Sequence, residues 1–187
     1  EPTRRLIADY GDNCDDLHTD LHECLGHGSG RLLPGTDPDT LRAYGSTIEE
    51  ARADLFALYY LGDEKLVELG LTPNMDAHKS QYYSYLQNGA LTQLVRIKAG
   101  ATIEEAHMRN RALVANWVLD HARMAKTAHP AAELVKVKGK TYVRVNDYVE
   151  VRRLFGELLA EIQRIKSEGD FDAARDLIER YAVKIDP

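Results

Sequence analysis

Hydrophobic positions recur at helical spacing over most of the chain and switch to alternation in one short stretch. The helical spacing predicts helices over 17–25, 47–61, 76–98 and 103–126. Gly28-Ser29-Gly30 and the Pro34-Gly35-Thr36-Asp37-Pro38 segment interrupt the pattern after the first run, and Thr72-Pro73-Asn74 and Ala99-Gly100 separate the later ones. Asn88-Gly89 interrupts the third run, as a kink or a point of close packing. From 134 to 145 the period becomes two. Val135 and Val137 alternate with lysines, Lys138-Gly139-Lys140 supplies a turn, and Val143 and Val145 alternate with Tyr142 and Arg144, which is a β-hairpin pattern. Asn146 or Asp147 can cap a further helix to about 166, Gly169 can end it, and a last helix runs from about 171 to 183. The expected fold is mainly α with one small β-hairpin near residues 134–145. With no internal repeat or low-complexity linker, 1–187 reads as a single domain.

One short stretch carries chemistry. His22-Glu23-Cys24-Leu25-Gly26-His27 sets two imidazoles around a carboxylate. Zinc favours nitrogen ligands, and a catalytic site takes three protein groups and leaves a position for water. Two of those groups are His22 and His27. Glu23, next to the first, is placed to act as general base toward a water whose pKa the metal has lowered. In the common H-E-x-x-H motif the histidines lie about 40° apart around a helix, whereas a spacing of five residues opens the angle to about 140°. Bringing both rings to one ion therefore requires an extra residue in the helix, most simply a π-bulge, for which Gly26 is suited.

The third ligand should come from another element. In Ser46-Thr47-Ile48-Glu49-Glu50-Ala51-Arg52-Ala53-Asp54, Ser46 reads as an N-cap and Glu49 as its capping-box partner. Glu50 and Asp54 then share a face. We read Glu50 as the third metal ligand and Asp54 as the acceptor that fixes the free N–H of a ligand histidine. Glu49 is either the cap or a further acceptor around the metal.

Together the two motifs resemble those of the dipeptidyl peptidase III family, which pairs H-E-x-x-G-H with a downstream E-E-x-x-A-D or E-E-x-x-A-E. The resemblance implies a zinc exopeptidase that releases dipeptides from the N-terminus of short peptides, with one zinc held by His22, His27 and Glu50 and with Glu23 as base. It also implies that His107, with Arg111 four residues on, contacts the substrate. Family members are longer, two-lobed enzymes. The chain is similar to part of the zinc-binding lobe, breaking off at Lys184-Ile185-Asp186-Pro187 inside a family-like segment. A missing second lobe of the same parent chain is therefore an expected partner, and little dipeptidase activity is expected without it. Read from the residues alone, Thr102 and Glu105 form another capping box, which sets His107 and Arg111 on one helix face.

Composition narrows the alternatives. A net charge of −6 argues against a nucleic-acid surface, and no apolar run approaches a membrane span. Two cysteines are too few for a disulfide framework and suit a reducing, cytoplasmic setting; Cys24 reads as a sheltered thiol rather than a ligand. His18, four residues before His22, is a weaker ligand candidate. His78, His121 and His129 read as surface or hydrogen-bonded core imidazoles, and Tyr82, Tyr83 and Tyr85 as core packing with hydroxyls at the rim. Another zinc endopeptidase or aminopeptidase, or a zinc-stabilised interaction domain, would share the same ligands.

Overall fold

In the computed structural model, which describes residues 2–98, 101–125 and 129–183, the helix leading into the histidine motif is far longer than its apolar spacing suggests. It runs as α1 over Pro2–Leu21 and passes directly into a π-helical segment, His22–His27. A loop and a 3₁₀ turn at Arg42–Tyr44 lead to α2, Gly45–Leu61. Then come α3 (Glu64–Glu68), α4 (His78–Ala90), a 3₁₀ segment at Thr92–Arg96, and α5 (Ala106–Met124). Strands β1 (Ala132–Val137) and β2 (Lys140–Val145) form the hairpin, and α6 (Tyr148–Glu168) and α7 (Phe171–Tyr181) complete the order. The fold is thus mainly α with one two-stranded antiparallel sheet, as expected.

Helix α2 is the centre of the packing. It lies against α6, α5, α1 and the π segment, while α4 is wedged between α1 and α5. Ile48, Ala51, Ala53, Leu55, Ala57, Leu58 and Leu61 of α2 are all buried, on every side of the helix. A helix enclosed all round loses its polar face. The three alanines let neighbours approach closely, so the element that carries Glu49, Glu50 and Asp54 is clamped rather than laid on a surface.

Two expected helix starts are corrected. Ser46 does not cap α2, because the chain enters from the 3₁₀ turn already in helical conformation and the first turn has no side-chain cap at all. Glu49 is accordingly free for other partners. At α5 it is Glu105 itself that caps, accepting from the backbone N–H of His107 and Met108, so the helix begins three residues later than expected. The run expected over 76–98 is divided: α4 ends at Ala90 and a tighter 3₁₀ segment follows. Residue 126 of the expected 103–126 helix, the Ala99-Gly100 break and the closing 184–187 segment lie outside the described residues. The short helix α3, capped by Asp63, was not foreseen.

The hairpin follows its turn chemistry. Lys138 and Gly139 both have positive φ, 49° and 79°, the requirement of a two-residue type I′ connection. Val137 pairs with Lys140, and Val143 enters the core from β2, which packs on α4. Asp147 caps α6 through the Glu150 N–H, and Gly169 ends it in the left-handed region at φ 67°. Among the described residues no helix is long and apolar enough to cross a membrane.

Asn88-Gly89 marks close packing. A Cβ at Gly89 would stand 2.3 Å from the Arg111 carbonyl oxygen and 2.8 Å from Ala115 Cβ, so α4 and α5 touch backbone to backbone there. Gly89→Ala should lower Tm by several degrees, reflecting about 1–3 kcal/mol of overpacking, and a melt equal to the parent's would contradict this contact.

His78 gives the fold an acid-sensitive point. Burial, helped by Lys79 and Arg152, lowers its pKa from 6.5 to about 4. The unfolded chain therefore binds the proton more readily, and the stability that neutral His78 contributes above pH 6.5 is lost as the pH falls toward 4. Compared with His78→Phe, the parent should lose up to about 3 kcal/mol across that window in urea titrations. Parallel pH profiles for the two proteins would contradict it.

Candidate metal centre

The spacing of the histidines dictates the local backbone. With i→i+5 hydrogen bonding, residues five apart come to one side of the helix. His22 and His27 do so here, ring centroids 4.6 Å apart and edge to face. The expected bulge extends over the whole motif. Gly26 is required by contact: a Cβ would lie 2.6 Å from Ala53 Cα and 2.7 Å from Ala53 Cβ. The glycine of one motif thus seats on the alanine of the other.

That seat aligns the rings with the acids of α2. His22 Nδ1–H donates to Asp54 Oδ1 at 2.7 Å, and His27 Nδ1–H donates to Glu49 Oε1 at 2.9 Å. An ionised carboxylate only accepts, so each Nδ1 carries the proton and each Nε2 presents a lone pair. Both lone pairs face Glu50. His22 Nε2 is 3.4 Å from its Oε2 and His27 Nε2 is 3.9 Å from its Oε1. Glu50 Oε2 is buried without a hydrogen-bond partner. Three acceptors with no shared proton should repel, and a cation held between them would reconcile them. Zinc bonds of 2.0–2.2 Å in tetrahedral geometry put donor atoms about 3.3 Å apart, close to what these residues offer. Their ligand atoms lie within 4.8 Å of one another.

The carboxylates behind the rings are held firmly. Burial works to raise the pKa of Asp54, yet hydrogen bonds from His18 and His22 hold it well below the usual carboxylate range. Its Oδ2 accepts from Tyr85 Oη at 2.7 Å and from Asn110 Nδ2 at 3.1 Å. Burial and the adjacent Asp54 charge push the Tyr85 hydroxyl well up, so it remains a donor. The hydrogen bond to Asp54, opposed by burial, raises the pKa of His22. Glu49, despite burial, is brought to about 2 by Arg52, Lys166 and His27. Arg52 is fully buried and donates to Glu49 through Nε at 3.0 Å and Nη2 at 2.7 Å. The same Nη2 reaches the Gly26 carbonyl at 2.7 Å, bracing the π segment directly.

Glu23 is exposed and opens onto a cleft of about 680 Å³ shared with His22, His107 and Arg111. His107 Nδ1 lies 3.3 Å from Glu50 Oε2, with its side chain 55% exposed to the cleft. Cys24 corrects the expectation of a sheltered thiol: the wider π turn leaves it exposed, and it joins neither of the candidate ion-binding groups. Arg52, Lys166, His18, Tyr85 and Asn110 were not anticipated as supports. The spacing of Arg52 three residues after Glu49 was a signal for the ion pair. Tyr85 and Asn110 reach Asp54 from α4 and α5, which spacing along the chain does not reveal.

The chain and its fold have known relatives. Residues 39–186 match the family model described as Peptidase family M49. The chain belongs to peptidase family M49. The matched segment contains the acidic helix and His107, and it begins after the histidine motif. Dipeptidyl peptidase 3 of Mus musculus and that of Rattus norvegicus are each 25% identical over 209 residues, covering 91% of this chain and 28% of theirs. The structure of dipeptidyl-peptidase III from Corallococcus sp. strain EGB aligns with a TM-score of 0.65 and 26% identity over 89% of this chain and 28% of that one. DPP III from Caldithrix abyssi has the same fold, with a TM-score of 0.64 and 24% identity over 89% of this chain and 29% of its own. The chain therefore spans little more than a quarter of the length of these relatives.

The seat of Gly26 can be tested without metal. Gly26→Ala should destabilise the metal-free chain by about 1–3 kcal/mol in urea unfolding, since the nearest atoms include backbone that cannot yield. Undiminished stability would mean that the π segment is not pressed on α2.

Proposed function

We propose that this chain is the zinc-binding part of an exopeptidase that releases dipeptides from the N-terminus of short peptides. The observation that carries this reading is the convergence of His22 Nε2, His27 Nε2 and Glu50 while each Nδ1 is held by its own carboxylate. Membership of peptidase family M49 supports the reaction class, and the names of the mouse and rat relatives support dipeptide release.

In this reading His22, His27 and Glu50 hold one zinc, with Asp54 and Glu49 fixing the two imidazoles. Zinc bound there supplies a Lewis acid that brings the acidity of a water toward neutrality. Glu23 takes the proton of the attacking water and delivers it to the departing amine, a role its place at the cleft suits. His107 and Arg111, one turn apart on α5, donate to the substrate carbonyl and peptide chain. The residues that grip the peptide's free amine belong to a second lobe of a longer parent, against which 1–187 acts as one domain. Without that lobe orientation and water exclusion are both weakened, so this chain alone binds zinc with little or no turnover. Two unpaired cysteines suit a cytoplasmic setting.

The test has two arms. One tightly bound zinc per chain should be lost from His22→Ala, His27→Ala and Glu50→Ala alike, and retention by Glu50→Ala would contradict the ligand set. In a chain extended to the length of the relatives, Glu23→Gln should keep the metal yet slow dipeptide release about a hundredfold or more. Full activity in that variant would remove Glu23 from the mechanism.

A further inference from the structure

Asp54 is held at four points, and three of them come from outside both motifs. Its Oδ1 accepts from His22 Nδ1 at 2.7 Å and from His18 Nε2 at 3.1 Å. Tyr85 and Asn110 occupy Oδ2. Helices α1, α4 and α5 thus lock a carboxylate carried by α2. His18 stands one turn before His22 on the same helix, so the two rings share a face and meet the same oxygen. The His18 side chain is buried, with its ring 5.8 Å from that of Tyr85.

Because ionised Asp54 only accepts, His18 carries its proton on Nε2. Its Nδ1 is buried and has no partner. A residue kept there for packing alone would be apolar, since an unpaired ring nitrogen is unfavourable in a core. What His18 supplies that an apolar side chain lacks is a single donor, aimed at the oxygen that orients His22.

We propose that His18 is a positioning residue for the metal centre. By taking the second lone pair of Asp54 Oδ1, it fixes the rotation of that carboxylate and hence the direction of His22 Nε2. The inference rests on the reading of His22, His27 and Glu50 as zinc ligands. The same atoms are also spaced to hold a cation between His18, His22 and Asp54. That use requires His22 to surrender its Nδ1–H and a 2.7 Å contact to open, whereas hydrogen bonding to Asp54 keeps one donor of each ring in place.

The test is zinc affinity of the metal-free 187-residue chain, read by competition with a chromophoric chelator, together with the cobalt(II) d–d spectrum of each variant. His18→Leu and the shorter His18→Asn should weaken zinc about tenfold or more and alter the cobalt spectrum, as loss of an outer hydrogen bond does. His18→Gln, whose amide N–H stands near the position of Nε2, should stay within about threefold of the parent and keep its spectrum. Circular dichroism establishes that each variant folds, and His18→Asn serves if His18→Leu does not. A packing role predicts the reverse order, Leu tolerated and Gln penalised, and that order would overturn the proposal. So would two zinc ions in the parent with one lost on changing His18, which would make it a ligand. A parent with one zinc and variants unchanged would remove the role of His18 alone. A parent with no zinc would remove the metal centre and this role together.

Discussion

Gly26 resting on Ala53 is the constraint from which the site follows. Two helices can meet at that distance only when one residue has no side chain and the other little more than a methyl group, and each sits within its own motif. The contact keeps the π segment open against α2, and the open segment turns both imidazoles toward the same edge of α2. A regular helix in its place would point the rings about 140° apart, and the acidic residues would have no common target. Backbone irregularity, small-residue packing and ligand direction are therefore one feature.

The charges of Asp54 and Glu49 are managed by pairing. Asp54 meets four donors, and Glu49 meets Arg52, Lys166 and His27. Removing one partner of such a group leaves a charge uncompensated, which makes these networks rigid supports as well as stabilising ones. Glu50, between them, is the exception, with a buried oxygen that takes no hydrogen bond. The contrast between two satisfied carboxylates and an unsatisfied one is what singles out Glu50 within its motif.

Much of this was legible in the residues. The five-residue spacing of the histidines required a distorted helix, and the four-residue spacing of Glu50 and Asp54 required a shared face. The hairpin was visible in its alternation and its Lys-Gly turn. Helix starts were less so: Ser46 has the chemistry of a cap, but a preceding 3₁₀ turn had already fixed the backbone. Cys24 looked sheltered because a regular helix was assumed around it, and the π turn changes which way it faces. The supports of Asp54 come from α1, α4 and α5, and convergence of that kind is a property of tertiary packing. Burial of α2 on all sides, for the same reason, leaves no amphipathic pattern to read.

X-ray absorption at the zinc edge of the chain loaded with one equivalent of metal reads the proposed ligand set itself. Two imidazole ligands with nitrogens at about 2.0–2.1 Å, the remaining donors oxygen, and no sulfur are expected. A sulfur at about 2.3 Å, bringing Cys24 to the metal, or a third imidazole would contradict it.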